Sequence, residues 1–191
     1  PDGGNGEFIT YFAMHTDNTE PLYYVNFNRV FRTKAGSSVT PSTWTELTGI
    51  ASKVNPADPG GQDIGIRSIE LSRGPYLSSH VMYLGTTEGR IFRLNDPRNI
   101  GVAGVPVDIT PPVINSYISS TATVNVADIA VNPNNDDEVM VVYSNYQVTI
   151  GSTISKEFNI WWTTNGKSAS PTWTLIEGNL TLPSIRSCAI V

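Results

Sequence analysis

"NRVFRT" (residues 28–33) and "GRIFRL" (residues 89–94) are the clearest internal echo in this 191-residue chain. Each places apolar residues in strand alternation, and "NIWWTT" from Asn159 is a looser third copy. Working outward, each copy follows a second run rich in β-branched and aromatic residues: "LYYVNF" from Leu22, "VMYLGTT" from Val81 and "VMVVYSN" from Val139. Before these stand "TDNTEP", "RGPYLSS" and "PNNDD", whose Asn, Asp, Pro and Gly predict tight turns. Further upstream, "ITYFAMH", "IRSIELS", "VADIAVN" and "IRSCAIV" begin at residues 9, 66, 126 and 185, steps of 57, 60 and 59. A fourth run closes each unit: "TWTELTG" from Thr43, a weaker "PVDIT" from Pro106, and "TWTLIEG" from Thr172, which makes Trp44 and Trp173 equivalent.

Four short strands recurring about every 59 residues predict an all-β fold, a β-propeller of four-stranded antiparallel blades. The blades are expected at 8–50, 63–110 and 122–179, with the first strand of a fourth at 184–191. A β-sandwich with accidental spacing is the competing reading. Rings need at least about four blades. Three blades and a strand therefore predict a segment of a larger propeller, completed by missing sequence or by another chain; the start at Pro1 rather than Met fits that expectation.

Composition agrees with strands and turns. The chain holds 16 Gly, 13 Pro and 18 aromatic residues (8 Tyr, 6 Phe and 4 Trp), with only 15% charged residues. A net charge of -5 without any basic run argues against nucleic acid as a partner. No stretch has the roughly 18 apolar residues needed to span a membrane. Cys188 is the only cysteine, which excludes an internal disulfide and a thiolate metal cluster.

The third unit, "DIAVNPNNDDEVMVVYSN" to "IWWTTNGKSASPTWTLIEGNLTLPS", resembles the Asp-box (BNR) repeats of sialidase-like and sortilin-like propellers. Asp128, Pro133, Asn134, Thr163, Thr164, Asn165, Gly166, Trp173, Gly178, Asn179, Leu180 and Pro183 carry the resemblance. It implies that the box, Thr163, Asn165, Gly166 and Trp173, is structural: a hairpin in which a short side chain accepts N–H bonds across the turn while the Trp packs beneath. This sequence departs from the pattern, with Asn165 for the usual Asp, Lys167 for the second Gly, and a longer loop before Trp173. Resemblance also implies a secreted or cell-surface protein, bacterial in type.

Loops after second and fourth strands share one rim of a propeller, and here three of them are long: 51–65, 111–125 and 145–158. Long loops on a rigid scaffold favour binding, so the rim is the expected site, with Asp63, Arg67, Asp128, Tyr146 and Arg186 as ligand-binding candidates. Arg67 and Arg186 share an "IRS" triplet on equivalent first strands. No residue stands out as catalytic: glycoside cleavage needs two facing carboxyl groups, and Asp58, Asp63 and Asp128 each have a structural alternative. His15 and His80 are isolated in the sequence, which argues against a zinc site. "NPNNDDE" (132–138) offers oxygen ligands for calcium without the spaced pattern of a calcium loop. Three functions follow: a non-catalytic module holding a protein or glycan, a sialidase-like or xyloglucanase-like glycoside hydrolase with part of its site elsewhere, or a purely structural part of a surface assembly that takes no soluble ligand.

Overall fold

The computed structural model describes residues 9–15, 21–119, 124–144, 148–150, 153–155, 159–178 and 185–191. Three four-stranded antiparallel sheets follow one another along the chain, each pairing its strands in sequence order. The first holds β1 (Phe12–Met14), β2 (Leu22–Asn26), β3 (Arg29–Thr33) and β4 (Thr45–Glu46). β5 (Ile66–Leu71), β6 (Val81–Thr86), β7 (Ile91–Asn95) and β8 (Val107–Asp108) form the second. In the third, β9 (Val126–Asn132) and β10 (Asn135–Tyr143) are separated from β13 (Ile160–Thr163) and β14 (Thr174–Leu175) by a small hairpin, β11 (Val148–Ile150) with β12 (Thr153–Ser155). This is the blade architecture of a propeller, with "NRVFRT" and "GRIFRL" supplying the equivalent strands β3 and β7.

Burial explains why these strands stack into blades. Successive residues of a strand point to opposite faces, yet every residue of β6 is buried. The second sheet is covered on both sides. Met82 and Leu84 join Tyr23, Val25, Ile50 and Phe92 in the seam with the first sheet, while Val81 and Tyr83 join Ile129, Val141 and Trp161 in the seam with the third. Close approach fixes one residue type. A Cβ at Gly85 would stand 2.3 Å from Cγ1 of Val126 across the second seam, so any larger side chain would force the sheets apart.

Each seam is also closed by an arginine. Arg32, on β3, donates through Nη1 to the carbonyls of Pro97 (2.7 Å) and Ile100 (2.9 Å) in the β7–β8 loop of the next sheet. Arg93, one repeat later on β7, donates to the carbonyls of Gly166 (2.9 Å) and Ser168 (2.6 Å) in the β13–β14 loop. Both arginines are buried. A charged donor satisfying two loop carbonyls makes each bond stronger than a neutral one.

Two features depart from the sequence expectation. The connections expected as open loops begin with helices: α1 (Thr48–Val54) and α2 (Pro112–Ser119). Leu47, Ile50, Ala51 and Val54 recur at helical spacing and are buried, but α1 has no side-chain N-cap and carries Gly49, which hid it among turn signals. α2 buries Ile114 in the second seam in the same way. These stretches thus cover blade edges as well as bordering the rim. Residues 185–191, expected as a first strand, carry no strand ladder among the described residues; they lie along β9, where Cys188 N–H and Ser187 Oγ donate to Asp128.

Arg93→Ala should lower stability by about 2–4 kcal/mol, because two charge-assisted bonds are lost and two loop carbonyls are left buried. Urea unfolding followed by tryptophan fluorescence measures this, with Arg93→Lys expected to recover part of the loss.

Candidate functional site

The first strands of the blades run side by side, β1 beside β5 and β5 beside β9. Their starting ends meet at one mouth. At that level β5 and β9 both carry a bulge. Ile66 pairs with Thr86 and Ser68 with Gly85, which makes Arg67 the bulge residue; Val126 pairs with Tyr143 and Asp128 with Val142, which puts Ala127 in the matching place. A bulge re-aims the extra residue out of the ladder. Arg67 consequently lines a cleft of about 540 Å³ together with Tyr11, Asn125, Ser144 and Arg186, over an apolar floor of Ile9 and the start of β9.

The cleft joins two of the sequence-predicted residues, Arg67 and Arg186, and omits Asp63 and Asp128. Asp63 is exposed in the 51–65 connection, outside the cleft lining. Tyr146 lies outside the described residues. Asp128 sits one residue below the floor, with its carboxylate turned to Ser187 Oγ (2.9 Å) and Cys188 N (3.1 Å). Asn125, Ser144 and Tyr11 were missed: each borders a strand, Tyr11 and Ser144 inside runs read as strands and Asn125 at the end of a connection, with nothing in the local sequence to single it out.

Below the mouth the chemistry changes. Glu70 on β5 is bound by Arg73 at 3.1 Å, and burial holds its carboxyl above the ordinary carboxylate range despite that pair. Cys188 faces the same region; burial, reinforced by Asp128 and Glu70, pushes its thiol up to about 12, so it stays protonated and inert at neutral pH. Basic groups stand at the mouth, acidic ones beneath.

The opposite rim is tied to itself. In "NPNNDDE", Asn132 Nδ2 donates to Glu138 (2.6 Å), which also accepts from Trp162 Nε1. Asp136 accepts from Ser72 Oγ (2.6 Å) and is paired with the Lys167 ammonium, while Asp137 accepts the Lys167 N–H. Those oxygens hold the β9–β10 turn against the β13–β14 loop. Among the described residues no group of three or more His, Cys, Asp or Glu is placed to hold a metal ion. His15 and His80, far apart in sequence, are brought together in the first seam: both are buried, their rings stack at 6.5 Å between centroids, and both meet Tyr76 edge-on.

The Thr163–Trp173 stretch is a closed loop between β13 and β14. Asn165 Oδ1 accepts from Thr163 Oγ1 (2.7 Å) and from the Thr172 N–H (2.9 Å) across the loop. Gly166 donates its N–H to Asp137 O, and a Cβ there would stand 2.8 Å from the Tyr83 hydroxyl. Trp173 is half-buried against the second seam and donates Nε1–H to Ile109 O at 2.8 Å. The loop therefore docks one blade on the previous one. Trp161 and Trp162 face opposite ways, the first into the seam and the second to Glu138.

No protein-family model matches this chain, and no curated protein matches it. Among solved structures it is similar to the GH74 enzyme of Niastella koreensis, at 18% identity and a TM-score of 0.47, over 91% of this chain and 23% of that one. The chain thus spans under a quarter of that neighbour's length.

Trp173→Ala should cost about 2–3 kcal/mol, below the range for a fully buried aromatic because the ring is only partly buried; thermal melting tests this. For Glu70, the folded state holds its proton more tightly than the unfolded state, so its contribution to stability falls as pH rises above the ordinary value of 4.5. Melting temperatures of Glu70→Gln and the parent, compared from about pH 4 to about pH 7, should move steadily in the variant's favour.

Proposed function

We propose that this chain is part of a non-catalytic binding propeller that seats an acidic glycan by its carboxylate in the axial cleft. One observation carries the reading. In a chain of net charge -5, the described lining of the cleft holds two arginines and no Asp or Glu. Guanidinium groups pair with carboxylates through parallel charge-assisted bonds, while Asn125, Ser144 and Tyr11 are suited to sugar hydroxyls and the exposed Ile9 to the apolar face of a ring. A protein partner would meet the same groups through Asp or Glu side chains.

On this reading the Thr163–Trp173 loop is an Asp-box in which Asn165 takes the acid's place; the support is Asn165 Oδ1 accepting across the loop and Trp173 anchoring it. Its role is to dock blades, away from the ligand. Such a module would suit a large secreted or cell-surface protein of bacterial type, which is what the Asp-box resemblance implies. A hydrolase reading draws on Glu70, whose buried carboxyl is held above the ordinary range beneath the mouth, as a general acid requires. Asp128 is a poor partner for it, since its carboxylate is already bound by Ser187 and Cys188.

Titration calorimetry with a uronic-acid oligosaccharide and its neutral counterpart tests the proposal. The acidic ligand should bind, and Arg67→Ala with Arg186→Ala should weaken it by about tenfold to a hundredfold, as expected for lost bonds between charged groups. Equal affinity for both ligands would overturn the carboxylate reading. New reducing ends would favour the hydrolase.

A further inference from the structure

Arg67 and Arg186 reach the cleft by different means. Arg67 is placed by its own sheet, because the residues on either side of it are in ladder, Ile66 with Thr86 and Ser68 with Gly85. Arg186 is held otherwise. Residues 185–191 carry no strand ladder among the described residues, and Arg186 and Ser187 are both exposed. Ser187 stands where Ser68 stands in the shared IRS triplet, but its bond goes to a side chain of β9 rather than into a ladder.

That side chain is Asp128. Its Oδ2 accepts from Ser187 Oγ at 2.9 Å and from the Cys188 N–H at 3.1 Å, the two residues that follow Arg186. Its Oδ1 accepts from the Ile129 N–H at 2.9 Å, which fixes the carboxylate on its own strand. Both oxygens are thus committed, and bonds to an ionised acceptor are stronger than neutral ones. An amide is an incomplete substitute. Asparagine offers one acceptor oxygen, so its NH2 would face either the Ile129 N–H or the two donors of the segment. The thiol of Cys188 adds a weak contact to the Met140 carbonyl, at 3.9 Å.

We infer that Asp128 is a positioning residue for the axial cleft: its carboxylate holds the 185–191 segment against β9 and thereby sets the place of Arg186 relative to Arg67. Its effect on binding rests on the carboxylate reading of the cleft, whereas the anchoring itself needs no ligand. The sign of that effect separates two roles. A carboxylate beneath the mouth acting only through its charge repels an acidic ligand, so its removal would tighten binding. Removal of an anchor weakens binding, because Arg186 then has to be ordered when the ligand arrives.

Two measurements on Asp128→Ala and Asp128→Asn test this, both made below the melting transition of every variant. The first is calorimetric affinity for the uronic-acid oligosaccharide. Asp128→Ala should weaken it by about tenfold and Asp128→Asn by less. In an Arg186→Ala background Asp128→Ala should cause no further loss, while in an Arg67→Ala background its loss should persist. The second is alkylation of Cys188, the only cysteine, by iodoacetamide at neutral pH, read by mass spectrometry. The thiol is slow in the parent, where burial keeps it protonated. Release of the segment should speed the reaction by about tenfold in Asp128→Ala and by less in Asp128→Asn, although both lose the charge. Unchanged or tighter binding by Asp128→Ala, or a loss that adds in full to that of Arg186→Ala, would overturn the inference. So would alkylation at the parent's rate, or at equal rates in the two variants, which would assign the change to charge. If the parent binds acidic and neutral oligosaccharides alike, the carboxylate reading of the cleft fails, and Cys188 alkylation alone decides whether Asp128 anchors the segment.

Discussion

The guanidinium of Arg93 leaves its own sheet and ends on the carbonyls of Gly166 and Ser168 in the next, as Arg32 does one repeat earlier. The rest of the architecture depends on this crossing. A four-stranded sheet of short strands, with a last strand of only two residues, has too little apolar area to stand alone. Stability therefore resides in the seams. There, apolar residues from two sheets exclude water, and one buried cation holds the facing loop in register. The cost of burying that cation is offset only because the loop carbonyls meet it in good geometry.

Seam packing also decides where function can reside. Side-by-side stacking of sheets brings the first strands together, so that residues about 59 positions apart become neighbours at the mouth. Neither Arg67 nor Arg186 is distinctive by itself. The bulge that frees Arg67 from the ladder, and the apposition of three strand starts, turn two scattered cations into one face of a cleft. The opposite rim is consumed by structure: Asp136, Asp137, Lys167 and Ser72 bind one another. The loops there pack on neighbouring blades, as Gly166 and Ser168 do on Arg93, whereas the crossovers on the other rim have to travel from the outer strand of one blade to the inner strand of the next.

Legibility in the sequence followed the range of the interactions concerned. Strand identity and order were readable in "NRVFRT" and its echoes because alternation and turn residues act over a few positions. The helices α1 and α2 were not, because both are short and placed among Gly and Pro, and α1 has no side-chain N-cap; their stability comes from Leu47, Ile50 and Ile114 entering the seams. His15 and His80 looked solitary and are stacked neighbours, since each comes from the first turn of a different blade. Arg67 and Arg186 were visible as a matched pair, while Asn125, Ser144 and Tyr11 acquired meaning only from the cleft they share.

By itself the sequence determined the all-β class, the four-strand unit, its period and the sparse charge that leaves the chain acidic, because these are local or additive properties. Tertiary structure decided which arginines close seams and which face the axial mouth, and which carboxylates are bound and which held above their ordinary range. Those outcomes depend on burial and on distances between residues far apart in the chain, and they come into being only when one sheet packs against the next.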